Sequence, residues 1–451
     1  MSLRPTPPPS GKIPRRHVLR GAAVVAAGLG GLAHRARAAA PVLRISQWTH
    51  FVPGYDEWLD RKFAREWGER NGVTVEIDHL ALTEIRARAD TDVATQQGHD
   101  LVAFPEPPAA YEAHLMPVTD VVTECERRFG KLPAFIHRAT FSPRTKQYFA
   151  IPESWAPAPL HYRTDLWAEA GFKPDNWEHV RDGARKIREK RAIPAGFGLS
   201  PEPDSNMMLR GLLWAFGAAE QDEAGQVAIN SPAAIEAVKL MATIYRESLI
   251  PDVFLWDAAS NNRAFLWGQA SIIQNAISAI RSMEKSNPEL ARKAALAPPA
   301  AGPAARLAAT NVLHSYAIWK FSDKGELAKR FLLDLIAAAD DGFRASEFYN
   351  LPAFPRAVRD LAKKLGGAKT TTPPRPGVAM PTDRYALLAE ADRWSVAPGH
   401  PGYFTPAIDE TLQKGIIPLM FARAARGEQT PEVSVRAAEA EMRRIFARWQ
   451  R

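Results

Sequence analysis

The spacing of apolar residues changes several times between residues 42 and 104. A short apolar run over residues 42–48 predicts a strand. In the next segment, YDEWLDRKFAREWGER, the residues Leu59, Phe63 and Trp67 recur every four positions and share one helix face. Strict alternation in NGVTVEIDHL then predicts a half-buried strand, and DLVAF follows a further helix as a third strand. This β-α-β-α-β order predicts a parallel sheet with helices on its faces.

The rest of the chain continues in the same α/β manner. SPAAIEAVKLMATIYRE has Ser231 as a predicted N-cap and Pro232 at the first helical position. SYAIWKF predicts a strand, GELAKRFLLDLIAAA a helix, and a last helix follows Pro431. The segment Gly366–Pro381 is rich in Gly, Thr and Pro and predicts a surface loop. The chain exceeds the roughly 250–300 residues at which one core stops growing, which predicts two lobes.

The first 38 residues have the features of an export signal. Arg15 and Arg16 precede a weakly apolar run, Gly21–Ala33, that is shorter than the about 20 residues needed to span a bilayer. The sequence Ala36-Arg37-Ala38 offers a small-x-small cleavage site. We therefore expect a twin-arginine signal peptide over 1–38, cleaved near Ala38, and a periplasmic protein. A basic N-terminal helix or a membrane anchor is the alternative.

Net charge and cysteine content exclude several classes. The formal charge is +8, but residues 1–38 hold seven of the 58 basic residues and no acid, which leaves 51 basic against 50 acidic residues. This balance gives no reason to expect a nucleic-acid partner, whose binding needs clustered positive charge. The single cysteine, Cys125, excludes an intrachain disulfide and an iron–sulfur cluster. No spacing typical of a zinc, copper, nucleotide or esterase site is present, so no cofactor, metal or catalytic residue is predicted.

Several segments together resemble a known family. GHDLVAF is similar to a strand that delivers the chain to a ligand cleft, and YFAIPESWAPAPLHYRTDLWAEAGFKPDNWEHV to a first crossing between lobes. NNRAFLWGQASIIQNA is similar to a Phe-x-x-Gly-x-Ala turn before a returning strand, and ELAKRFL and YNLPAFP also match in order. Over about 45–450 the chain resembles the extracellular solute-binding proteins of bacterial ABC importers, in particular the sugar-binding family that includes maltose-binding proteins.

The resemblance implies a two-lobed periplasmic binding protein fold. Each lobe would be a largely parallel sheet with helices on both faces, and hinge strands would join the lobes. Lobe 1 would comprise 41–153 and about 276–335, and lobe 2 would comprise 154–275 and about 336–451. The protein would be a monomer without enzymatic activity that closes on a carbohydrate-like solute and docks on the membrane subunits of an ABC permease. Its export would use the twin-arginine machinery.

Candidate ligand-binding residues follow from position and from the resemblance. Ligands collect at the carboxyl ends of strands in open α/β sheets, and sugars suit aromatic faces and hydrogen-bonding side chains. Most candidates lie at the ends of the first and third strands, in the inferred crossing, in a later loop, or in a turn before a late helix. They are Trp48, His50, Phe104, Glu106, Glu153, Trp155, Tyr349, Trp394 and Tyr403. The resemblance adds Asn206 near a helix start and Asn275, where many relatives carry an aromatic residue. Core packing or helix capping is the alternative for these side chains.

Two other functions stay open at this point. A periplasmic glycosidase needs two carboxylates that flank one bond, and Glu106 with Glu153 could supply them. The same fold could also bind a polyamine or a glycerol phosphoester. A phosphate group would need cations at the cleft, for which Arg144, Arg163 and Arg210 are candidates.

Overall fold

A computed structural model describes residues 40–310, 312–367 and 384–450. The strands, numbered in chain order, are β1 (Val42–Trp48), β2 (Thr74–Leu80), β3 (Leu101–Phe104), β4 (Phe141–Ser142), β5 (Gln147–Tyr148), β6 (Ile151–Ala156), β7 (Leu160–Arg163), β8 (Ile272–Gln274), β9 (Ala294–Ala297), β10 (Ala308–Ala309), β11 (Val312–Ile318), β12 (Leu351–Pro352) and β13 (Ser395–Val396). The predicted signal peptide and most of the predicted loop at 366–381 lie outside the described residues.

The helices cover both faces of the sheets. They are α1 (Pro53–Trp58), α2 (Arg65–Asn71), α3 (Ile85–Thr95), α4 (Thr119–Phe129), α5 (Ala134–Thr140), α6 (Thr164–Ala170), α7 (Trp177–Arg191), α8 (Pro203–Ala215), α9 (Pro232–Ser248), α10 (Ser260–Leu266), α11 (Ser278–Ser286), α12 (Pro288–Ala291), α13 (Gly325–Ala337), α14 (Ala339–Ala345), α15 (Leu361–Gly366), α16 (Pro406–Gln413), α17 (Ile416–Ala425) and α18 (Pro431–Trp449). A π-helical stretch, Leu59–Ala64, joins α1 to α2. Shorter 3₁₀ turns cover Ala109–His114, Pro251–Phe254, Pro355–Ala357 and Ala386–Arg393.

Local sequence signals explain several of these boundaries. Gly72, at φ 65°, ends α2 because it adopts the left-handed conformation without steric cost. The Ser231 side chain accepts a hydrogen bond from the Ala234 amide, and Pro232 occupies the first turn of α9. Asn176 caps α7 in the same way by accepting from the His179 amide. The cap at Ser231 agrees with the prediction from sequence.

A six-stranded mixed sheet organises the first lobe, in the order β12-β6-β11-β3-β1-β2. Strand β1 pairs in parallel with both β2 and β3, which confirms the predicted β-α-β-α-β unit. The returning strand β11 is antiparallel to β3 and β6, and β12 is antiparallel to β6. Every residue of β3, β6 and β11 is buried, as expected for central strands covered on both faces.

The second lobe is built around a smaller, antiparallel sheet. Its three strands lie in the order β8-β7-β9, and β7 is antiparallel to both neighbours. The two-lobed α/β fold is therefore as predicted, but the expectation of a largely parallel sheet is wrong for this lobe. Strands of three or four residues carry too few alternating positions for the sequence to indicate their direction.

The chain crosses between the sheets at Pro157–Pro159, because β6 belongs to the first sheet and β7 to the second. Strand β9 pairs with β7 in the second lobe, and β12 pairs with β6 in the first. The predicted changes of lobe near 276 and 336 do not coincide with this pairing. The cause is that pairing partners distant in sequence are not encoded in local periodicity.

Candidate functional site

A groove of about 260 Å³ lies between the two lobes. Its first wall consists of residues that follow the carboxyl ends of β2 and β3, and its second wall of the start of α8 and the end of α16. The lining residues are Leu82, Thr83, Ile85, Arg86, Pro105, Glu106, Pro201, Pro203, Asn206, Met207, Leu412 and Gln413. The groove therefore combines apolar surface with a few polar side chains, which is the usual composition of a small-molecule site.

Two of the predicted binding residues line this groove from opposite lobes. Glu106 comes from the segment after β3 and is half-buried, and Asn206 comes from the first turns of α8. Burial raises the pKa of the Glu106 carboxyl, while the positive charge of Arg86 opposes that shift. The structure thus brings together an acidic acceptor and an amide that sequence reasoning had selected separately.

A buried ion pair fixes the orientation of Asn206. The Arg210 guanidinium donates to both carboxylate oxygens of Glu220, at 3.0 and 2.8 Å, and both side chains are fully buried. Arg210 Nη1 also donates to Asn206 Oδ1 at 2.6 Å. Because arginine has only donors, the atom facing it must be the amide oxygen, which leaves Asn206 Nδ2 as a donor for the groove. Arg210, a predicted candidate for phosphate binding, instead holds a groove residue in place.

A second ion pair joins the two lobes beside the groove. Arg86, in α3, donates to the carboxylate of Asp409, in α16, at 2.7 and 3.4 Å. The Ala110 amide donates to the same carboxylate at 2.9 Å. Sequence reasoning missed both charged residues. Arg86 follows the carboxyl end of β2, so the rule applied to the first and third strands could have found it.

The candidates at the end of the first strand, Trp48 and His50, do not line the groove but lie in a buried group that we call the covered cluster. Its members are each at most 4% exposed: Trp48, His50, Tyr55, Glu153, His314, Tyr349 and Asn350. His50 stacks on Trp48, with ring centroids 5.0 Å apart, and meets the edge of Tyr349 at 5.1 Å. These side chains pack against one another beneath the surface of the first lobe. None of them lines the groove.

His50 is held in its neutral form inside the covered cluster. Its Nε2 donates to Asn350 Oδ1 at 3.0 Å, and its Nδ1 accepts from the Val52 amide at 2.9 Å. Burial lowers the pKa of His50 to about 4, with the Asn350 hydrogen bond opposing that shift. An imidazole in this state serves the packing of the first lobe.

Glu153 lies in the same cluster and not in the groove. Its Oε2 is 3.2 Å from His314 Nδ1, and the Ser154 hydroxyl donates to it. The neighbouring candidate Trp155 packs its ring edge-on against Phe135 at 5.1 Å. Phe104, at the end of β3, is also fully buried, between Tyr111 and Trp319.

Asn275 is part of a buried polar cluster in the second lobe. Its Nδ2 lies 2.8 Å from Asp204 Oδ2, 2.9 Å from Asn261 Oδ1 and 2.5 Å from Asn262 Oδ1. Its own Oδ1 accepts from the Ala276 amide. In this arrangement the side chain ties the end of β8 to the starts of α8 and α10.

The late aromatic candidates lie near a different inter-lobe groove. That groove, of about 340 Å³, runs between α5 and residues 392–402, and Trp394 is buried beside it. Tyr403 is half-buried, and its ring lies 6.0 Å from His137 and 6.1 Å from Phe141 in the first lobe. The structure therefore does not bring Trp394 or Tyr403 together with Glu106 and Asn206.

The described residues offer neither a metal cage nor a membrane span. No three His, Cys, Asp or Glu side chains in the described ranges converge on a point that could hold a metal ion. Within the same ranges, every helix is too short or too polar to cross a bilayer.

The model of the bacterial extracellular solute-binding protein family matches residues 53–337, which is more than half of the chain. The chain belongs to this family. A curated relative, a candidate binding protein of Brucella abortus strain 2308, is 24% identical over 188 residues, and this match spans only 45% of the relative and 41% of the chain.

Several solved structures share this fold and align with most of the present chain. T. maritima MalE3 with bound maltose is 20% identical, covers 90% of this chain and 99% of its own, and superposes with a TM-score of 0.72. A Thermotoga lettingae solute-binding protein bound to α-D-tagatose is 17% identical over 90% and 99% of the two chains, with a TM-score of 0.71. A sugar transporter from Arthrobacter chlorophenolicus with laminaribiose is 13% identical over 89% and 98%, with a TM-score of 0.72.

The family assigns the general role of the chain as an extracellular solute-binding protein. The glycosidase alternative is not favoured, because Glu106 lines the groove while Glu153 is enclosed in the covered cluster.

Proposed function

We propose that this solute-binding component captures a carbohydrate-like solute between its lobes and delivers it to the membrane permease. The observation that carries the proposal is the pairing of Glu106 and Asn206 across the groove. One offers a hydrogen-bond acceptor and the other a donor, and each comes from a different lobe. A hydroxyl group both donates and accepts, so a polyhydroxylated solute can satisfy both walls at once.

The ligands of proteins with the same fold support a sugar or polyol. Four solved proteins with this fold have bound maltose, α-D-tagatose, laminaribiose and ribitol, respectively. The groove volume of about 260 Å³ is slightly below the roughly 300–1,000 Å³ typical of drug-sized ligands, which favours a small solute. The groove residues Glu106 and Asn206 are our proposed contacts, and the remaining candidates stay predictions.

A ligand screen tests this function directly. The chain from residue 39 onward is heated with individual sugars and polyols, and its melting temperature is followed. A true ligand at a hundred times its dissociation constant should stabilise the protein by about 2.7 kcal/mol. The Asn206→Asp variant is the matched control, because the new carboxylate can still accept from Arg210 but presents no donor to the groove. Release of reducing ends, or no response to any sugar or polyol, would contradict the proposal.

We further propose that the protein is exported to the periplasm by the twin-arginine route and acts there as a monomer. The paired Arg15 and Arg16 before a weakly apolar run support the route. Replacing both arginines with lysine should leave the precursor in the cytoplasm, as followed by fractionation. A single Arg4→Lys change is the control and should be exported normally.

A further inference from the structure

Asp409 is a carboxylate of the second lobe whose hydrogen-bond donors come from the first. Its side chain is fully buried, and α16 packs on α17 and α18 of the second lobe and on the turn Ala109–His114 of the first. The Arg86 guanidinium and the Ala110 amide approach it from α3 and from the segment after β3. This contact joins the two lobes, and it lies at the edge of the groove, because Arg86 also lines the groove.

Of the described charged side chains at the groove, the arginines have ion-pair partners but the carboxyl of Glu106 does not. Arg86 and Glu106 are the charged residues that line it, and Asp409 already occupies the guanidinium of Arg86. Behind the second wall, Arg210 is neutralised by Glu220. Throughout the described ranges, no lysine, arginine or histidine forms a direct ion pair with Glu106, and Arg86, which is paired with Asp409, acts on it only through its charge.

We propose that Asp409 determines the charge specificity of the groove: by pairing with Arg86 as the lobes close, it excludes anionic solutes and admits uncharged ones. An anionic solute would need the Arg86 guanidinium, which is the cation that lines the groove, and it would also face Glu106. A phosphate or carboxylate on the solute would therefore compete with Asp409 and oppose closure. This inference rests on the groove being the ligand site proposed above.

The wild-type protein gives the first test. Inorganic phosphate and D-glucuronate are titrated into the chain from residue 39 onward by calorimetry, beside the panel of uncharged sugars. Neither anion should bind in the millimolar range. Saturable binding of either anion that disappears in the Arg86→Gln variant would overturn the proposal, and this arm does not depend on the folding of an Asp409 variant.

The Asp409→Asn variant gives the second test. With Arg86 freed, affinity for at least one of the two anions should rise by about tenfold or more. The double variant Arg86→Gln/Asp409→Asn should lose this gain. The Glu106→Gln variant should still exclude both anions, because Asp409 keeps Arg86 occupied. Anion binding by Glu106→Gln alone, or no gain by an Asp409→Asn protein with wild-type circular dichroism, would overturn the role of Asp409.

The two proposals fail separately. If no uncharged sugar or polyol binds, the proposed function fails, whatever the anions do. If a sugar binds but wild-type protein also takes up D-glucuronate through Arg86, the sugar function stands and the role of Asp409 is wrong.

Discussion

The covered cluster of the first lobe and the inter-lobe groove contain the same kinds of side chain in opposite circumstances. In the cluster, Glu153 and His50 are at most 4% exposed and have partners from their own lobe. In the groove, Glu106 is half-buried, has no ion-pair partner among the described residues, and faces Asn206 of the other lobe. Both sets include residues that follow the carboxyl ends of strands.

This difference shows that a position at a strand end does not decide the role of a polar residue. The segment after β1 turns back into α1, and the loop at Tyr349 and Asn350 covers the strand end. The segments after β2 and β3 instead remain open toward the second lobe. We therefore expect changes in the cluster to lower stability, and changes in the groove to lower affinity.

The largest effect is expected for Glu153→Ala. Removing this buried carboxylate leaves His314 and Ser154 without their partner, which should lower the free energy of unfolding by about 3–5 kcal/mol. Urea denaturation measures the loss. Glu326→Ala is the matched control, because that side chain is 85% exposed and the change should cost less than about 0.5 kcal/mol. Equal stabilities for the two variants would contradict the structural role of Glu153.

Acid should destabilise the covered cluster through His50. Its pKa falls from 6.5 to about 4 on folding, so the unfolded chain takes up the proton first, and the contribution present above pH 6.5 is lost as pH falls toward 4. Between pH 7 and pH 5 the loss from this residue is about 2 kcal/mol. Denaturation curves at both pH values measure the free energy of unfolding. Between pH 7 and pH 5, the His50→Gln variant should lose about 2 kcal/mol less of it than the wild type does. An identical pH dependence in the two proteins would refute the assignment.

In the groove, Asn206→Asp should change affinity and leave stability nearly unaltered. The new carboxylate still accepts from Arg210, but the groove loses a donor and gains a negative charge opposite Glu106. Ligand affinity should fall by about tenfold or more, as measured by calorimetry with the sugar found in the screen. A large loss of stability with unchanged affinity would place Asn206 with the structural residues instead.

The smallest effect is expected for Glu106→Gln. Glutamine keeps the shape and one acceptor, so affinity should fall by about three- to tenfold. Because burial raises the pKa of Glu106, its contribution to stability is present below the ordinary carboxyl pKa and is lost as pH rises through the raised value. As the pH rises from 4 to 7, the stability of the variant should therefore increase slightly relative to that of the wild type. Thermal melts at both pH values test the sign.

The sequence by itself determined the local elements and the class of fold. The four-residue spacing of Leu59, Phe63 and Trp67, the cap at Ser231 and the alternation before Leu80 each depend on neighbours within a few positions, and all reappear in the structure. The order of short segments along the chain also indicated a two-lobed binding protein, which the family match confirms.

Tertiary structure decided which candidates share a site. Arg86 and Asp409 are 323 positions apart, and their contact exists only because the lobes meet. The direction of β8 and β9, the lobe that contains β12, and the burial of Trp48 against Phe51 and His314 likewise depend on packing between distant segments. Periodicity indicates which face of an element is apolar, but it does not say what covers that face.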